Sequence, residues 1–406
     1  HHWLFGVVFY WLWKTVGFSG LQLFFIILSL VTFWFFFDLA RKNTGWKIAI
    51  PAALFLIPLI AERTEVRPEA FSYFFAGIFL WILWRRKWPW TLPFLMLLWV
   101  NLNVYFFVGI LILFIFLLNN FKLWRVFLAS SLAIPINPFG YRAILFPVYA
   151  LQNYGYKIVE NQSVWFLQKL GVAENPNYAW FWLALAALIA AGVFAFFKKE
   201  KNSLVFFLPA VVFGLMAAFA VRNFTIFALF TLPAVSCGIK TLFNQSAPRE
   251  EKYAISITAL ILILIITFFS HQTKMPFLRG DFGLGLMPGN ESAAKFLKEA
   301  KIAGPIFNNY DIGSYLSFYL EPKSVFVDNR PEAYPVSFFE KIYIPMQESE
   351  KKWKEANETY NFKTIVFAWH DYTPWGQKFL SEKLKDPAWK RIYLDNYVII
   401  FEKSKP

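Results

Sequence analysis

The sequence predicts a multi-pass α-helical membrane protein with about ten transmembrane helices and a C-terminal extracytoplasmic α/β domain. Hydrophobic residues make up 58% of the 406 residues and aromatic residues 21%, which exceeds the level of soluble domains. Ten apolar segments fill residues 1–271, whereas residues 272–406 have the composition of a soluble domain. Lys and Arg number 21 against 9 Asp and Glu in the first range, and 19 against 17 in the second.

Each predicted membrane helix is an apolar run bounded by charged or turn-forming residues. Lipid offers no water to backbone groups, so a crossing segment must be helical, and a full crossing takes about 20 residues. Several runs are shorter, which we expect local bilayer thinning or neighbouring helices to accommodate. The segments are 20–38, 46–61, 70–84, 88–101, 103–118, 122–135, 178–197, 203–220, 224–243 and 252–270.

The first apolar run, residues 3–16, differs from the others because it is short, contains Lys14 and ends at Gly17. We interpret residues 1–17 as an interfacial helix lying on the membrane, in preference to a span. The sequence opens on His1 without a methionine or a cleavable signal pattern, and we interpret it as a fragment whose start is missing.

The basic residues predict which loops face the cytoplasm. Alternate connections carry fourteen Lys and Arg on one side and six on the other. Short loops rich in Lys and Arg stay inside, so the loop 136–177 and the tail 272–406 are predicted to be outside. The inside set comprises Arg41, Lys42, Lys47, Arg85, Arg86, Lys87, Lys122, Arg125, Lys198, Lys199, Lys201, Lys240, Arg249 and Lys252.

The net charge of +14 lies mostly beside helix ends, so membrane lipids explain it better than nucleic acid does, and we predict no nucleic-acid partner.

Cys237 lies inside an apolar run, where a small buried hydrophobe is expected. The four His and one Cys show no zinc-ligand spacing, and no phosphate-binding glycine loop is present. The sequence therefore names no metal ligand.

Polar residues collect at four of the predicted outer turns. Any one of them is explained by snorkelling or helix capping. Ionisable groups near membrane depth also mark cavities, and a shared outward cavity would explain both these groups and the short helices between them. The candidate substrate-binding residues here are Arg67, Asn101, Asn103, Asn137 and Arg222.

Such a cavity suits group transfer from a lipid phosphate. Arg67 or Arg222 would pair with phosphate oxygens, because a guanidinium makes bidentate contacts. Glu65 and Glu69, besides Glu62, are the nearby carboxylates that would act as general base on an acceptor hydroxyl. An arginine or a divalent metal would stabilise the departing phosphate, so a metal cofactor is left open. Because charge pairs at helix ends are common, the pattern alone is weakly specific.

The tail alternates short strands and helices, which is typical of a small α/β sandwich. A linker with several glycines precedes it, and residues 395–396 predict a hairpin turn. The predicted helices are 291–301, 337–358 and 374–385, and the predicted strands are 305–308, 324–328, 364–368, 389–394 and 397–402.

Two polar clusters follow predicted strands of the tail. Asn309 and Asp311 follow the first strand, and Asp328 and Arg330 follow the second. Open α/β sheets bind ligands at the carboxyl ends of strands, so these four are candidate substrate-binding residues. Turn formation explains the same residue types equally well. His370 and Asp371 look like a catalytic pair, but no motif in the sequence places a Ser or Cys nucleophile with them.

A series of short motifs, in this order along the chain, resembles the glycosyltransferase C superfamily of polytopic membrane proteins. The likeness is to the dolichyl-phosphate-mannose and RgtA/B/C/D-like mannosyltransferases, and more closely to a bacterial or archaeal branch of that superfamily. The matching stretches are His2-Trp3-Leu4-Phe5, Gly17 with Leu21, Arg67-Pro68 followed by Phe71-Ser72, Trp99-Val100-Asn101-Leu102, Asn137-Pro138-Phe139-Gly140, Arg222-Asn223-Phe224, Asn309-Tyr310-Asp311-Ile312-Gly313-Ser314-Tyr315-Leu316 and Val327-Asp328-Asn329-Arg330.

The resemblance implies a lipid-linked sugar donor, a polyprenyl phosphate, and an acceptor at the outer face of the cell envelope. It places the main acidic catalytic residue in a first outer loop upstream of His1. The branch tends to show Asn-Leu-His-Gly where this chain has Asn101, Leu102, Asn103 and Val104. The missing His puts proton transfer at that turn in doubt, so no catalytic residue is carried over from the family.

The sequence thus favours a membrane glycosyltransferase that moves a sugar from a polyprenyl phosphate to an acceptor at the outer face. The alternative is a non-catalytic membrane scaffold or glycan-binding module of envelope assembly. A transporter ranks third, because it predicts an internal repeat with broken helices in both halves, and the sequence shows no such symmetry.

Overall fold

The computed structural model describes residues 2–63, 65–149, 154–170, 175–198, 203–243, 283–287, 289–300, 302, 304–320, 325–371 and 373–404. The chain divides into two compact units. The helical unit comprises His1–Leu151 and Ile158–Gly285, and the α/β unit comprises Gln152–Lys157 and Leu286–Pro406. The predicted segment 252–270 and most of the region around the predicted boundary at residue 272 lie outside the described residues.

Helices make up the described part of the helical unit. They are α1 (Trp3–Thr44), α2 (Trp46–Ile60), α3 (Glu69–Arg85), α4 (Leu92–Leu102), α5 (Phe107–Asn119), α6 (Trp124–Ala133), the short α7 (Phe146–Tyr149) and α8 (Val164–Leu170), α9 (Asn177–Phe197), α10 (Ser203–Phe219) and α11 (Phe224–Phe243). Within the described residues, each of the nine predicted segments from 20–38 to 224–243 coincides with helix.

Three of the described helices are long and apolar enough to cross a membrane: Trp3–Thr44, Asn177–Phe197 and Val221–Thr241. The other apolar helices are shorter, and 3-10 turns precede some of them. Pro89–Thr91 precedes α4, for example, and Val104–Phe106 precedes α5. A membrane protein is therefore evident, while the number of crossings stays a prediction.

The first helix is two helices joined at Gly17. The backbone of Gly17 has φ 66° and ψ −171°, which glycine adopts without the steric cost of a Cβ. Residues 3–16 and 18–44 are thus separate helical pieces, with the break where the sequence predicted the end of an interfacial helix. Whether the first piece lies on the bilayer surface stays a prediction.

The helical unit is organised around α11. This helix packs against α1, α2, α9 and α10, and its apolar face is almost wholly buried. Phe224, Phe227 and Phe230 are fully buried along it, and Phe230 packs edge-on against Phe36 of α1. Because α11 is central, residues at its first turn are held among several helix ends.

The α/β unit contains a four-stranded mixed sheet with strand order β1-β2-β4-β3. β1 is parallel to β2, and β4 is antiparallel to both β2 and β3. The strands are β1 (Ile306–Asn308), β2 (Thr364–Ala368), β3 (Trp389–Leu394) and β4 (Val398–Lys403). The helices are α12 (Ser292–Glu299), α13 (Gly313–Tyr319), α14 (Glu350–Tyr360) and α15 (Pro374–Lys383), with shorter turns at Val336–Phe338, Phe339–Tyr343 and Pro345–Glu348.

The predicted strand 324–328 is wrong for its described part, residues 325–328, which form no strand. The side chain of Asn308 takes the place of a backbone ladder. Its Nδ2 donates to the carbonyl of Val327 at 2.7 Å, and its Oδ1 accepts from the N–H of Phe326 at 2.9 Å. The segment therefore lies beside β1 but is held by one amide side chain.

Part of the predicted outer loop 136–177 belongs to the α/β unit. Tyr156 is buried there and stacks on Tyr310 with ring centroids 4.2 Å apart. Its ring also lies 5.3 Å from that of Phe339. The chain thus contributes to the α/β unit at two separate points.

Candidate active site

Five charged residues converge at one end of the helical unit, and we term them the arginine–glutamate cluster: Arg63, Arg67, Glu69, Glu160 and Arg222. Arg63 and Arg67 lie in the turn between α2 and α3, and Glu69 is the first residue of α3. Glu160 lies in a 3-10 turn of the loop 136–177, and Arg222 lies in the 3-10 turn that leads into α11. Segments far apart in sequence therefore build one charged surface.

Glu160 links two of the arginines. Its Oε2 accepts from Nη1 of Arg63 at 2.6 Å, and its Oε1 accepts from Nη1 of Arg67 at 2.9 Å. Burial opposes the charge on Glu160, but Arg63 and then Arg67 outweigh it and hold the pKa of Glu160 below its ordinary value. Glu160 is therefore an anion that positions two guanidinium groups.

Glu69 links the third arginine to the first. Arg222 donates through Nη2 to Oε1 of Glu69, and Nη2 of Arg63 lies 3.7 Å from the same oxygen. Nη1 of Arg222 donates to Oδ1 of Asn161 at 2.9 Å. The positive end of the α3 dipole also favours the carboxylate of Glu69 at the first helical position. Glu69 is thus held as an ion-paired group.

The side chains of the three arginines differ in how much of their surface is exposed to solvent. The exposed fraction of the side chain is 9% for Arg63, 27% for Arg222 and 41% for Arg67. Three guanidinium groups face the carboxylates of Glu69 and Glu160, and the exposed carboxylate of Glu65 lies 3.8 Å from Arg63, so the charges balance. The guanidinium groups of Arg67 and Arg222 are partly exposed, and such groups are suited to bind an anionic ligand.

The remaining acidic residues of the α2–α3 turn have different environments. Glu65 is 51% exposed, and its Oε2 lies 3.8 Å from Nε of Arg63. Glu62 accepts from Asn175 at 2.7 Å and from Asn177. Burial raises the pKa of Glu62 above its ordinary value, and these two amide donors offset only part of that shift. Of the two predicted catalytic glutamates, only Glu65 has its carboxylate accessible.

The side chains of the predicted asparagines form hydrogen bonds within the helical unit, two of them in turns and one between distant segments. Oδ1 of Asn103 accepts from the N–H of Tyr105 at 2.9 Å and caps the turn before α5. Asn137 forms a turn by accepting from the N–H of Phe139 at 2.7 Å. Asn101 accepts from the indole of Trp3 at 2.7 Å and donates to the carbonyl of Ile136 at 3.1 Å.

The structure brings the predicted polar residues of the α/β unit into two neighbouring loops. Asn309 is buried and joins the ends of β1 and β2, because its amide exchanges hydrogen bonds with the backbone of Ala368. Its Nδ2 also donates to Asp371 at 3.0 Å. Asp371 accepts from the Thr373 hydroxyl as well, at 2.7 Å. The side chains of Asn309 and Asp371 are therefore engaged in hydrogen bonds that hold the ends of β1 and β2 and the loop after β2.

The second loop is held by its own charge pair. Asp328 accepts from Nη2 of Arg330 at 2.5 Å and from the backbone N–H of Arg330 at 3.0 Å. A Cβ at Gly313 would overlap the carbonyl of Val327, so glycine lets the two loops pack closely. Asp311 keeps contact with solvent, yet the atoms packed around its carboxyl and the Asp371 carboxylate raise its pKa to about 6.

Sequence reasoning did not name Arg63 or Glu160 as site residues, although both are central to the cluster. Arg63 belongs to the polar residues of an outer turn but was not chosen as a site residue, and Glu160 lies 97 residues further along the chain. One feature of the sequence could have indicated Glu160. It is an acidic residue in the long predicted outer loop, on the same predicted side of the membrane as the two arginines of the α2–α3 turn.

The cluster does not supply a set of metal ligands. Among the described residues, no three or more His, Cys, Asp or Glu side chains converge. Glu69 and Glu160 are engaged by guanidinium groups, which leaves too few oxygen donors for Mg²⁺ or Ca²⁺. No chemical step is therefore assigned to a metal.

Comparison with known proteins identifies a fold. No family model matches the sequence, and no curated protein matches it. The structure is similar to the crystal structure of the Archaeoglobus fulgidus oligosaccharyltransferase tethered by a disulfide bond to an acceptor peptide with an NVT sequon, with 11% sequence identity and a TM-score of 0.53. The match covers 95% of this chain and 63% of the oligosaccharyltransferase chain. At this identity the likeness establishes a shared fold.

Proposed function

We propose that this chain is a membrane glycosyltransferase that transfers a sugar from a polyprenyl-phosphate donor to an acceptor at the outer face of the membrane. The observation that carries the proposal is the arginine–glutamate cluster, which collects three cations at one end of the helical unit. The shared fold with an oligosaccharyltransferase supports the same reaction class. The membrane topology assigned from basic residues supports the outer location.

The donor phosphate would bind to the two more exposed arginines, Arg67 and Arg222. Both can donate two N–H groups to phosphate oxygens. Glu160 and Glu69 position these guanidinium groups, and Arg63 links the two carboxylates. A preorganised set of cations stabilises the negative charge that develops on a departing phosphate.

The transfer is a single displacement at the anomeric carbon. The bond from this carbon to the phosphate oxygen breaks, and a bond to the acceptor oxygen forms. The acceptor proton passes to a carboxylate, for which Glu65 is the accessible candidate within the cluster region. The polyprenyl phosphate leaves with its electron pair and its negative charge faces Arg67 and Arg222.

The first test of the proposal measures how tightly the Arg67→Ala variant binds the sugar donor. Glu160 keeps Arg63 as a partner when Arg67 is removed, so the variant should fold normally. We expect its affinity for a labelled polyprenyl-phosphate sugar to fall about tenfold or more, because a charged hydrogen-bonding pair is lost. Arg142→Ala is the matched control, since Arg142 is an exposed arginine outside the cluster.

The assay uses the full-length protein in detergent or nanodiscs, and it measures both donor binding and sugar transfer. Unchanged donor affinity in Arg67→Ala would show that the phosphate assignment at Arg67 is wrong. If wild-type protein neither binds nor turns over any of a panel of polyprenyl-phosphate sugars, the glycosyltransferase proposal fails.

One observation favours the alternative of a non-catalytic scaffold or glycan-binding module. Both carboxylates of the cluster are already ion-paired, as in a purely structural network. That alternative predicts glycan binding without turnover and without affinity for the lipid donor. The same assay therefore separates the two functions.

A further inference from the structure

A second charged region lies at the opposite end of the helical unit. There, a cavity of about 460 Å³ opens where α3 and α5 end and where α4, α6 and α10 begin. We term it the basic cavity, and three cations line it: Arg86, Lys122 and Arg125. The arginine–glutamate cluster lies at the other ends of α3 and α10, so the two regions are separated by the length of the helices.

Unlike other cations at this end, those of the basic cavity have no acidic partner among the described residues. The cavity lining contains no Asp or Glu, and none of its three cations forms an ion pair with any described carboxylate. Asp38, at the same end, instead binds Arg41 and Arg85, each at 2.6 Å. A cavity that is lined by three cations and, within the described part of the chain, by no acid attracts an anion.

The rest of the lining is apolar and aromatic. Leu83, Phe116 and Val126 are buried in its walls, and the rings of Trp84 and Trp90 contribute further apolar surface. Asn119 and Asn120 add amide groups that can donate hydrogen bonds. A ligand that fits this lining has an anionic, hydrogen-bonding head and an apolar body.

The surroundings place the cavity at the level of lipid headgroups. Trp88, Trp90 and Phe121 are strongly exposed around it, at 68%, 62% and 76%. Exposed tryptophans beside Lys and Arg at helix ends are typical of the membrane–water interface. Phe94 and Phe114, about one turn further along α4 and α5 from the cavity, are also exposed and would contact acyl chains.

The geometry points to a binding site for the phosphate headgroup of an anionic membrane lipid in the basic cavity. Arg86 and Arg125 would donate to phosphate oxygens, and Lys122 would add a third positive charge. The ring of Trp124 holds Arg125 through a face contact at 5.4 Å, which leaves its in-plane N–H groups free to donate to a phosphate. The leaflet is the one that the basic residues predict to be cytoplasmic, opposite the proposed transfer site.

The test is lipid binding to the full-length protein, counted by native mass spectrometry. Wild-type protein is titrated with phosphatidylglycerol, with phosphatidylcholine, and with soluble glycerol phosphate. We expect a preference for phosphatidylglycerol over phosphatidylcholine of about tenfold, and weakening of that preference at high salt. The wild-type comparison needs no variant, so it tests the site even where a substitution fails to fold.

A charge-matched pair of variants locates the site. Lys122→Gln/Arg125→Gln removes two cavity cations, and Lys87→Gln/Lys198→Gln removes two predicted inside cations that do not line it. We expect the first to lower phosphatidylglycerol affinity about tenfold and the second to leave it nearly unchanged. Equal losses in the two variants, no lipid preference in wild type, or competition by glycerol phosphate at the lipid's own concentration would overturn the proposal.

Discussion

The arginine–glutamate cluster, where α3 begins, is ion-paired, whereas the three cations of the basic cavity, where α3 finishes, have no acidic partner among the described residues. We call these two sites the paired end and the unpaired end. Arg63, Arg67 and Arg222 share Glu69 and Glu160. The cavity at the other end presents Arg86 and its neighbours to whatever anion enters. Ion pairing fixes the positions of the cations in the cluster, and lack of pairing leaves the cations of the basic cavity available to an exchangeable ligand.

The comparison predicts that the paired end contributes far more to stability than the unpaired end. In Arg222→Ala, the buried carboxylate of Glu69 keeps only Arg63, at 3.7 Å. Breaking a buried pair from one side typically costs about 3 kcal/mol, and we expect a loss of that size.

Thermal unfolding of the detergent-solubilised protein measures this effect, with Arg142→Ala as the exposed-arginine control. If the two variants have the same Tm, Glu69 does not depend on Arg222, and the paired end is not the more tightly coupled one.

Glu160→Gln tests the same end through pH. Because the pKa of Glu160 is depressed in the folded state, its ion pairs stabilise the protein at neutral pH. That contribution is present above its unfolded pKa of about 4.3 and is lost as pH falls through the lower folded value. We expect the substitution to cost about 1 kcal/mol at pH 7, since Glu160 is partly exposed.

Chemical or thermal unfolding between pH 3 and pH 7 measures this difference. Wild type and Glu160→Gln should converge in stability toward the acid end of that range. A constant difference across it would mean that Glu160 does not act as an ion-paired carboxylate.

The smallest expected effect is at the unpaired end. Lys122 is exposed and forms no ion pair among the described residues, so Lys122→Gln should change the free energy of unfolding by less than about 0.5 kcal/mol. The same unfolding assay measures it against wild type. A large loss would reveal an acidic partner for Lys122 and remove the contrast between the two ends.

Much of the fold follows from local patterns. Apolar runs predicted the described helices, because lipid and core burial both select apolar residues over whole helical turns. Four of the five predicted tail strands form, for the same kind of local reason. The prediction of a strand at 324–328 was wrong for its described part. The composition of this segment favours a strand, but its hydrogen bonds to β1 are made by the side chain of Asn308 and not by the backbone.

The candidate site was less predictable than the fold. Arg67, Glu69 and Arg222 were singled out because charges are rare near apolar helices. Glu160 was missed, because the pairing of residues 93 and 97 positions apart leaves no periodic signal in one sequence. The candidate binding residues Asn101, Asn103 and Asn137 also form side-chain hydrogen bonds to backbone groups and, at Asn101, to the indole of Trp3.

Tyr156 has a practical consequence for anyone who isolates the sheet-containing unit. Its ring covers Tyr310, Phe339 and Trp375, although it reaches them from a stretch of chain more than a hundred residues upstream. A fragment cut to residues 286–406 would therefore expose an aromatic patch to water and tend to self-associate. Adding back residues 152–157 as a fused extension or a separate peptide should cover that patch and recover a monomeric fragment.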